Sequence, residues 1–245
     1  MGLEIITTGR VYAPPRVLIY GPEGIGKSTA AAAFPSPVFI QTEDGLNEID
    51  TTKFPLCASF GDVLAHLESL ASEQHEYRTV VIDTLDWTER LIWSALCAEN
   101  GKANIEDFGY GKGYTYALGK WSLLIDSLAK LRSGRGMAIC LICHCKIERF
   151  ESPDTASWDR YTLRLHKAAT DIVSQWVDVI AFATRNVVVT KERKERMAAK
   201  ASPIIADDTD RVLRFRPHPS YVAKTRYKLP DELPLDGKTF VSALS

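Results

Sequence analysis

Residues Gly21-Pro-Glu-Gly-Ile-Gly-Lys27-Ser28 constrain this chain more than any other stretch. They satisfy the pattern G-x-x-x-x-G-K-[ST], and the flanking sequence suits that motif. The apolar run Arg16 to Tyr20 reads as a strand that leads into it, and Lys27 to Phe34 reads as a helix that leaves it. A glycine-rich turn between strand and helix lets backbone N–H groups wrap a polyphosphate. The helix start adds a field that favours anions. The expected nucleotide contacts are therefore Gly21, Pro22, Glu23, Gly24, Ile25, Gly26, Lys27, Ser28 and Thr29. Lys27 is expected to reach the β- and γ-phosphates, and Ser28 to bind Mg²⁺. The expected ligands are ATP and Mg²⁺.

Two acidic positions complete that chemistry. Thr79-Val-Val-Ile-Asp83 reads as an apolar strand beside the phosphate-loop strand, with an aspartate at the end where open α/β sheets hold ligands. Asp83 is expected in the Mg²⁺ shell. Thr84 and Asp86, which follow it, suit the cap of the next helix. Because Thr84 is not a carboxylate, the base for hydrolysis has to come from elsewhere. The run Val38 to Gln41 reads as a strand, and Glu43 and Asp44 follow it. A carboxylate there can orient and deprotonate water. Glu43 ranks ahead of Asp44, whose pairing with Gly45 also suits a turn.

The rest of the chain alternates apolar β-rich runs with amphipathic ones. Helices are expected over Phe60 to Ser72, Asp86 to Glu99, Tyr116 to Arg132 and about Leu165 to Trp176. Further strands are expected at Met137 to Cys143, Val177 to Ala183, Val187 to Thr190, Arg211 to Phe215 and Tyr221 to Lys224. Asn100 to Gly113 reads as a glycine-rich loop and Cys145 to Asp159 as a long polar loop. Near-continuous apolar strands between helices imply a mostly parallel sheet covered on both faces. The chain reads as one α/β domain over residues 1–245, with a core at about 16–184 and a C-terminal strand extension at about 185–245.

Composition removes several classes of function. A net charge of −1 means that any nucleic-acid contact must come from a local patch. No apolar run is long enough to span a bilayer, and the N-terminus lacks the basic and apolar pattern of a secretory signal. The expected location is the cytoplasm, with no membrane partner. The five cysteines fit reduced thiols. Cys140-Leu-Ile-Cys143-His144 matches the haem-attachment pattern, but it lies in an expected buried strand. Zinc binding by Cys143, His144 and Cys145 is disfavoured, because neighbouring strand residues point to opposite faces. The charge-rich stretch Lys191 to Lys200 reads as a solvated connection, or alternatively as a nucleic-acid contact.

The order of elements resembles the RecA-like ATPase core. More narrowly, it is similar to phage-encoded RecA-like ATPases, some of which act as single-strand annealing recombinases. The resemblance is carried by Gly21 to Thr29, Phe39 to Gly45, Val80 to Trp87, Gly109 to Tyr116, His144 to Tyr161 and Ala223 to Leu235. It implies a RecA-like fold, a mostly parallel sheet flanked by helices with antiparallel C-terminal strands. It also implies that Glu43 activates water and that His144 senses the γ-phosphate, where glutamine is more usual. Lys224 and Arg226 fall where the family carries a finger that acts on a neighbouring subunit's nucleotide.

Two segments fall at the family's DNA-facing positions. Phe108 to Tyr114 offers Tyr110, Lys112 and Tyr114, and the second segment offers Lys146, Arg149 and Phe150. Aromatic rings stack on unpaired bases and cations pair with phosphate. The expectation is an ATP-hydrolysing, single-stranded DNA-binding recombination protein. It would act as a homo-oligomer, either ring or filament, with a single-stranded DNA-binding protein as a further partner. The alternatives are a ring helicase or helicase accessory ATPase, a small-molecule kinase, and a nucleotide-gated binding module.

Overall fold

A computed structural model of the chain describes residues 8–9, 12–190, 202–205 and 211–244. Five parallel strands build the centre of the sheet: β1 (Arg16–Gly21), β2 (Pro37–Gln41), β4 (Thr79–Asp83), β5 (Ala138–Phe150) and β7 (Val179–Arg185). The two-residue strand β3 (Thr52–Lys53) extends one edge in parallel. Beyond β7 the direction reverses, through β10 (Arg211–Arg214) and β12 (Glu232–Pro234), while β11 (Lys224–Thr225) pairs with the start of β7. The order across the sheet is β12-β10-β7-β1-β5-β4-β2-β3. This is the α/β arrangement expected, mostly parallel with antiparallel C-terminal strands, and it is consistent with a RecA-like core.

One expectation about the sheet is corrected. The Asp83 strand does not lie beside the phosphate-loop strand, because β5 runs between β1 and β4 and pairs with both. Ile139 to His144 of β5 are buried throughout, as befits a strand covered on both faces at the centre of the sheet.

Side-chain alternation divides the interior into two layers. On β1, Leu18 and Tyr20 face α2 (Phe60–Ser72), α3 (Leu85–Glu99), α4 (Lys112–Gly134) and α5 (Lys167–Trp176). Val17 and Ile19 face the opposite layer, with α1 (Lys27–Ala32) and α6 (Gly237–Leu244). Cys140 and Cys143 are buried in different layers, which takes their thiols out of each other's reach. Local signals set some boundaries. Ser59 and Asp62 form a reciprocal capping box that starts α2 where the periodicity begins. Gly237 lies so close to α1 that an added Cβ would meet the Ala30 carbonyl oxygen at 2.1 Å.

Both expected loops contain regular structure. Residues 145–159 are not a polar loop, because β5 continues to Phe150 and returns as β6 (Trp158–Leu163) in an antiparallel hairpin. Lys146, Glu148 and Arg149 are too polar to read as a buried strand, yet only the root of the hairpin, at Leu163, enters the core, and its exposed outer part needs no apolar face. In the segment 100–113, Ile105–Phe108 forms a 3-10 turn and α4 already begins at Lys112. Asn104 and Asp107 cap that turn reciprocally. Strands β8 (Val187–Thr190) and β9 (Ser202–Ile205) form a separate antiparallel pair. The charge-rich stretch 191–200 lies outside the described residues.

Candidate nucleotide site

The parallel strands end on one edge of the sheet, and there a cleft of about 350 Å³ opens. Its lining includes Gly24, Lys27, Ser28, Glu43, Asp83 and His144. Four segments far apart in sequence thus meet at one place because their strands are parallel and end on the same edge.

The phosphate loop has the backbone its sequence requires. Gly24 and Gly26 take φ of 69° and 108°, a region that favours glycine. A Cβ on Gly21 would lie 2.2 Å from the Ala183 carbonyl oxygen, so β1 and β7 approach too closely for any side chain there. The Lys27 ammonium donates to the carbonyl oxygens of Gly21 at 3.2 Å and Pro22 at 2.8 Å. Burial pulls its pKa down, and Asp83 acts in the opposite direction. Lys27 is therefore a buried cation satisfied by the loop it serves.

Ser28 donates its hydroxyl to Asp83 at 2.6 Å. Burial raises the Asp83 pKa, with the Ser28 bond acting against it. A buried carboxylate beside a hydroxyl, next to Lys27, fits a phosphate-bound Mg²⁺, which needs few protein oxygens and keeps its waters. When bound, the ion would neutralise charge on the β- and γ-phosphates. Ser28 and Asp83 would hold it.

Glu43 lies at the mouth of the cleft. Its carboxylate accepts from the Thr84 hydroxyl at 3.4 Å and stands 3.8 Å from His144 Nδ1. Thr42 fixes this corner, because its hydroxyl donates to the Thr84 carbonyl oxygen and accepts from the Thr84 N–H. Asp44 is exposed and accepts from Asn47, and it does not line the cleft.

Sequence reasoning missed three residues here. Asp86 is not a helix cap, since its carboxylate accepts the backbone N–H of His144 at 3.1 Å and lies 3.0 Å from the ring Nδ1. Burial acts to raise its pKa, but the His144 bonds outweigh it and the carboxyl is held low. An ionised Asp86 can only accept, so Nδ1 carries a proton and Nε2 is left for a ligand. Arg211 on β10 donates to the Ile25 carbonyl oxygen at 3.1 Å and braces the phosphate loop from the C-terminal strands. Arg164, just after β6, pairs with Glu23 of the phosphate loop at 2.8 Å. No local motif marks any of the three, since each depends on contacts distant in sequence.

A protein-family model of the AAA domain matches residues 13–227. The chain belongs to the AAA domain family. It is an ATP-binding, ATP-hydrolysing P-loop enzyme. The AAA domain match covers every residue of the cleft described above. No curated protein matches the chain. Among solved structures, the chain is similar to one described as "Crystal structure of the RadB recombinase", at 12% identity and a TM-score of 0.43, covering 82% of this chain and 91% of that one.

The other expected site residues fall elsewhere on the AAA domain. Lys224 donates to the carbonyl oxygens of Ser174 at 2.7 Å and Val177 at 2.8 Å, at the end of α5. Arg226 donates to Asp178 at 3.0 Å, beside the bidentate pair of Arg16 with Asp178. Both lie at the start of β7, the end of the sheet opposite the cleft. Tyr110 is fully exposed, with a φ of 49° between two glycines of positive φ. Lys112 and Tyr114 belong to the first turn of α4 and not to a loop. The Tyr114 ring stacks on His166 at 4.1 Å, and its hydroxyl donates to Glu106. In the hairpin, Lys146 donates to the Leu165 carbonyl oxygen, Arg149 is exposed, and Arg160 lies over the Phe150 ring at 4.0 Å. Among the described residues, no helix is long and apolar enough to cross a membrane.

Proposed function

We propose that this AAA-domain ATPase is a single-stranded DNA-binding recombination protein that anneals or pairs strands and works as an oligomer. One observation carries the reading: β5 runs without a break from His144 in the cleft into the exposed hairpin ending at Phe150. A change at the γ-phosphate therefore has a direct covalent path to a surface rich in aromatic and basic residues. Phe150, Arg149 and Lys146 on that surface, with Tyr110 just before α4 and Lys112 at its start, offer stacking and phosphate contacts. Tyr114 contributes by holding the base of this region, since its ring is already taken by His166.

In the hydrolytic step, Glu43 takes a proton from water as its oxygen bonds to the γ-phosphorus. The bond to the bridging oxygen breaks, its electron pair leaves with ADP, and the proton passes to solvent. Lys27 and His144 face the charge that develops on the γ-phosphoryl oxygens. Lys224 and Arg226 lie too far along the sheet to serve their own cleft, so their role is in a neighbour's.

The test is ATP turnover with and without single-stranded DNA, together with mass in solution. The expected result is turnover raised severalfold by DNA and a mass that is a multiple of 27.3 kDa. In the same assay, Lys27→Ala protein mixed with Arg226→Ala protein recovers part of the turnover that neither shows alone. Unwinding of a forked duplex without annealing would replace this reading with a helicase. Turnover indifferent to DNA but raised by a small metabolite would replace it with a kinase.

A further inference from the structure

The described cleft has no arginine in its lining, yet one stands at its rim. Arg164 follows β6, the return strand of the hairpin. Its backbone N–H donates to the His144 carbonyl oxygen at 2.9 Å, so it sits directly beside His144 on β5. Its Nη1 meets the Glu23 carboxylate at 2.8 Å, and its Nε reaches toward the Cys145 carbonyl oxygen at 3.4 Å. Both Glu23 and His144 line the cleft. The guanidinium is thus tethered between the phosphate loop and the strand that carries His144.

The pairing with Glu23 is a weak hold. Both side chains are well exposed, Glu23 at 66% and Arg164 at 42%. Exposed ion pairs of this kind contribute little and exchange readily. A γ-phosphoryl group carries more charge than one carboxylate and offers three oxygens. Guanidinium forms its strongest bonds with such groups. Glu23 belongs to the loop that wraps the phosphates, so the two acceptors compete for one cation.

We propose that Arg164 acts in cis as a catalytic arginine: it leaves Glu23 for the γ-phosphate when ATP fills the cleft and returns when phosphate departs. This rests on the nucleotide site and not on the DNA-binding reading. Glu23 is then a parking place, and it lowers the affinity for ATP. Arg164 also ties the root of the hairpin to the γ-phosphate, since it directly follows the returning strand. It complements the fingers at the other end of the sheet, because the cation it supplies belongs to the same protomer as the phosphate loop.

The role separates cleanly from that of a strut. If the ion pair merely braced the phosphate loop, Arg164→Ala and Glu23→Gln would act in the same direction, and equally on ATP and ADP. The proposal predicts opposite signs. Arg164→Ala lowers ATP affinity about tenfold, leaves ADP affinity unchanged, and lowers kcat about 100-fold. Glu23→Gln raises ATP affinity about twofold to fivefold, the range of an exposed pair, and again leaves ADP unchanged. Arg164→Lys recovers part of the kcat but not the bidentate contribution to affinity. The measurement is nucleotide titration with ATP and ADP, alongside steady-state turnover, on the full chain. Same-signed effects, or equal effects on ATP and ADP, overturn the proposal and leave the nucleotide site standing. Absence of ATP binding by the wild-type chain overturns the nucleotide site itself.

Discussion

At the scale of single residues, the cleft separates binding from chemistry. Lys27 and Ser28 belong to the grip on the phosphates, whereas Glu43 makes long contacts with the Thr84 hydroxyl and the His144 ring and stands at the mouth. Glu43→Gln keeps nearly the same shape and loses the proton acceptor. It is expected to bind ATP within about twofold of wild type while turnover falls by roughly 100-fold or more. Full turnover in that variant would move the base elsewhere, with His144 the nearest group. Such assignments were partly legible in the sequence. The phosphate loop and Asp83 are local patterns, and their context of strand and helix was visible. Asp86 was misread as a cap because its real partner, His144, is 58 residues away and joins it only when β5 packs beside β4.

At the scale of elements, α3 links the cleft to the aromatic region. It begins just after Asp83, presents Asp86 to His144, and one turn later presents Glu89 to the start of α5. Glu89 is buried, and both its oxygens accept the His166 N–H, at 3.2 and 3.0 Å. Burial pushes its pKa up from 4.5 to about 7. Between those values the folded chain keeps a proton that the unfolded chain has released. Its contribution to stability is therefore fully present below the unfolded value and falls as pH rises toward 7. Glu89→Gln stays neutral throughout and retains a carbonyl to accept the N–H. Its stability relative to wild type is expected to increase between about pH 5 and about pH 8, by on the order of 2–3 kcal/mol. Chemical denaturation at both pH values checks this, and a difference independent of pH would place the proton elsewhere. The hairpin was the element hardest to read from sequence. Its outer part mixes charged and aromatic residues, and only Thr162 and Leu163 near its root are buried, so the period that marks a half-buried strand is absent.

At the scale of the whole molecule, the sheet order decides which residues meet. Placing β5 between β1 and β4 brings His144 to the phosphate loop on one side and to Asp86 on the other. The sequence pattern established a covered parallel sheet but not its order, because every central strand is equally apolar and nothing local says which neighbours which. The C-terminal strands then close the far edge, where β10 carries Arg211 to the phosphate loop and β11 carries Lys224 to the opposite end. The central claim is that Lys27, Ser28 and Asp83 form one magnesium-nucleotide grip. Titration of ATP into the wild-type chain and Lys27→Ala, with and without magnesium, tests it most directly. Wild type is expected to bind with strong dependence on magnesium and Lys27→Ala to lose at least about 100-fold in affinity. Binding that ignores both magnesium and the lysine would contradict the account.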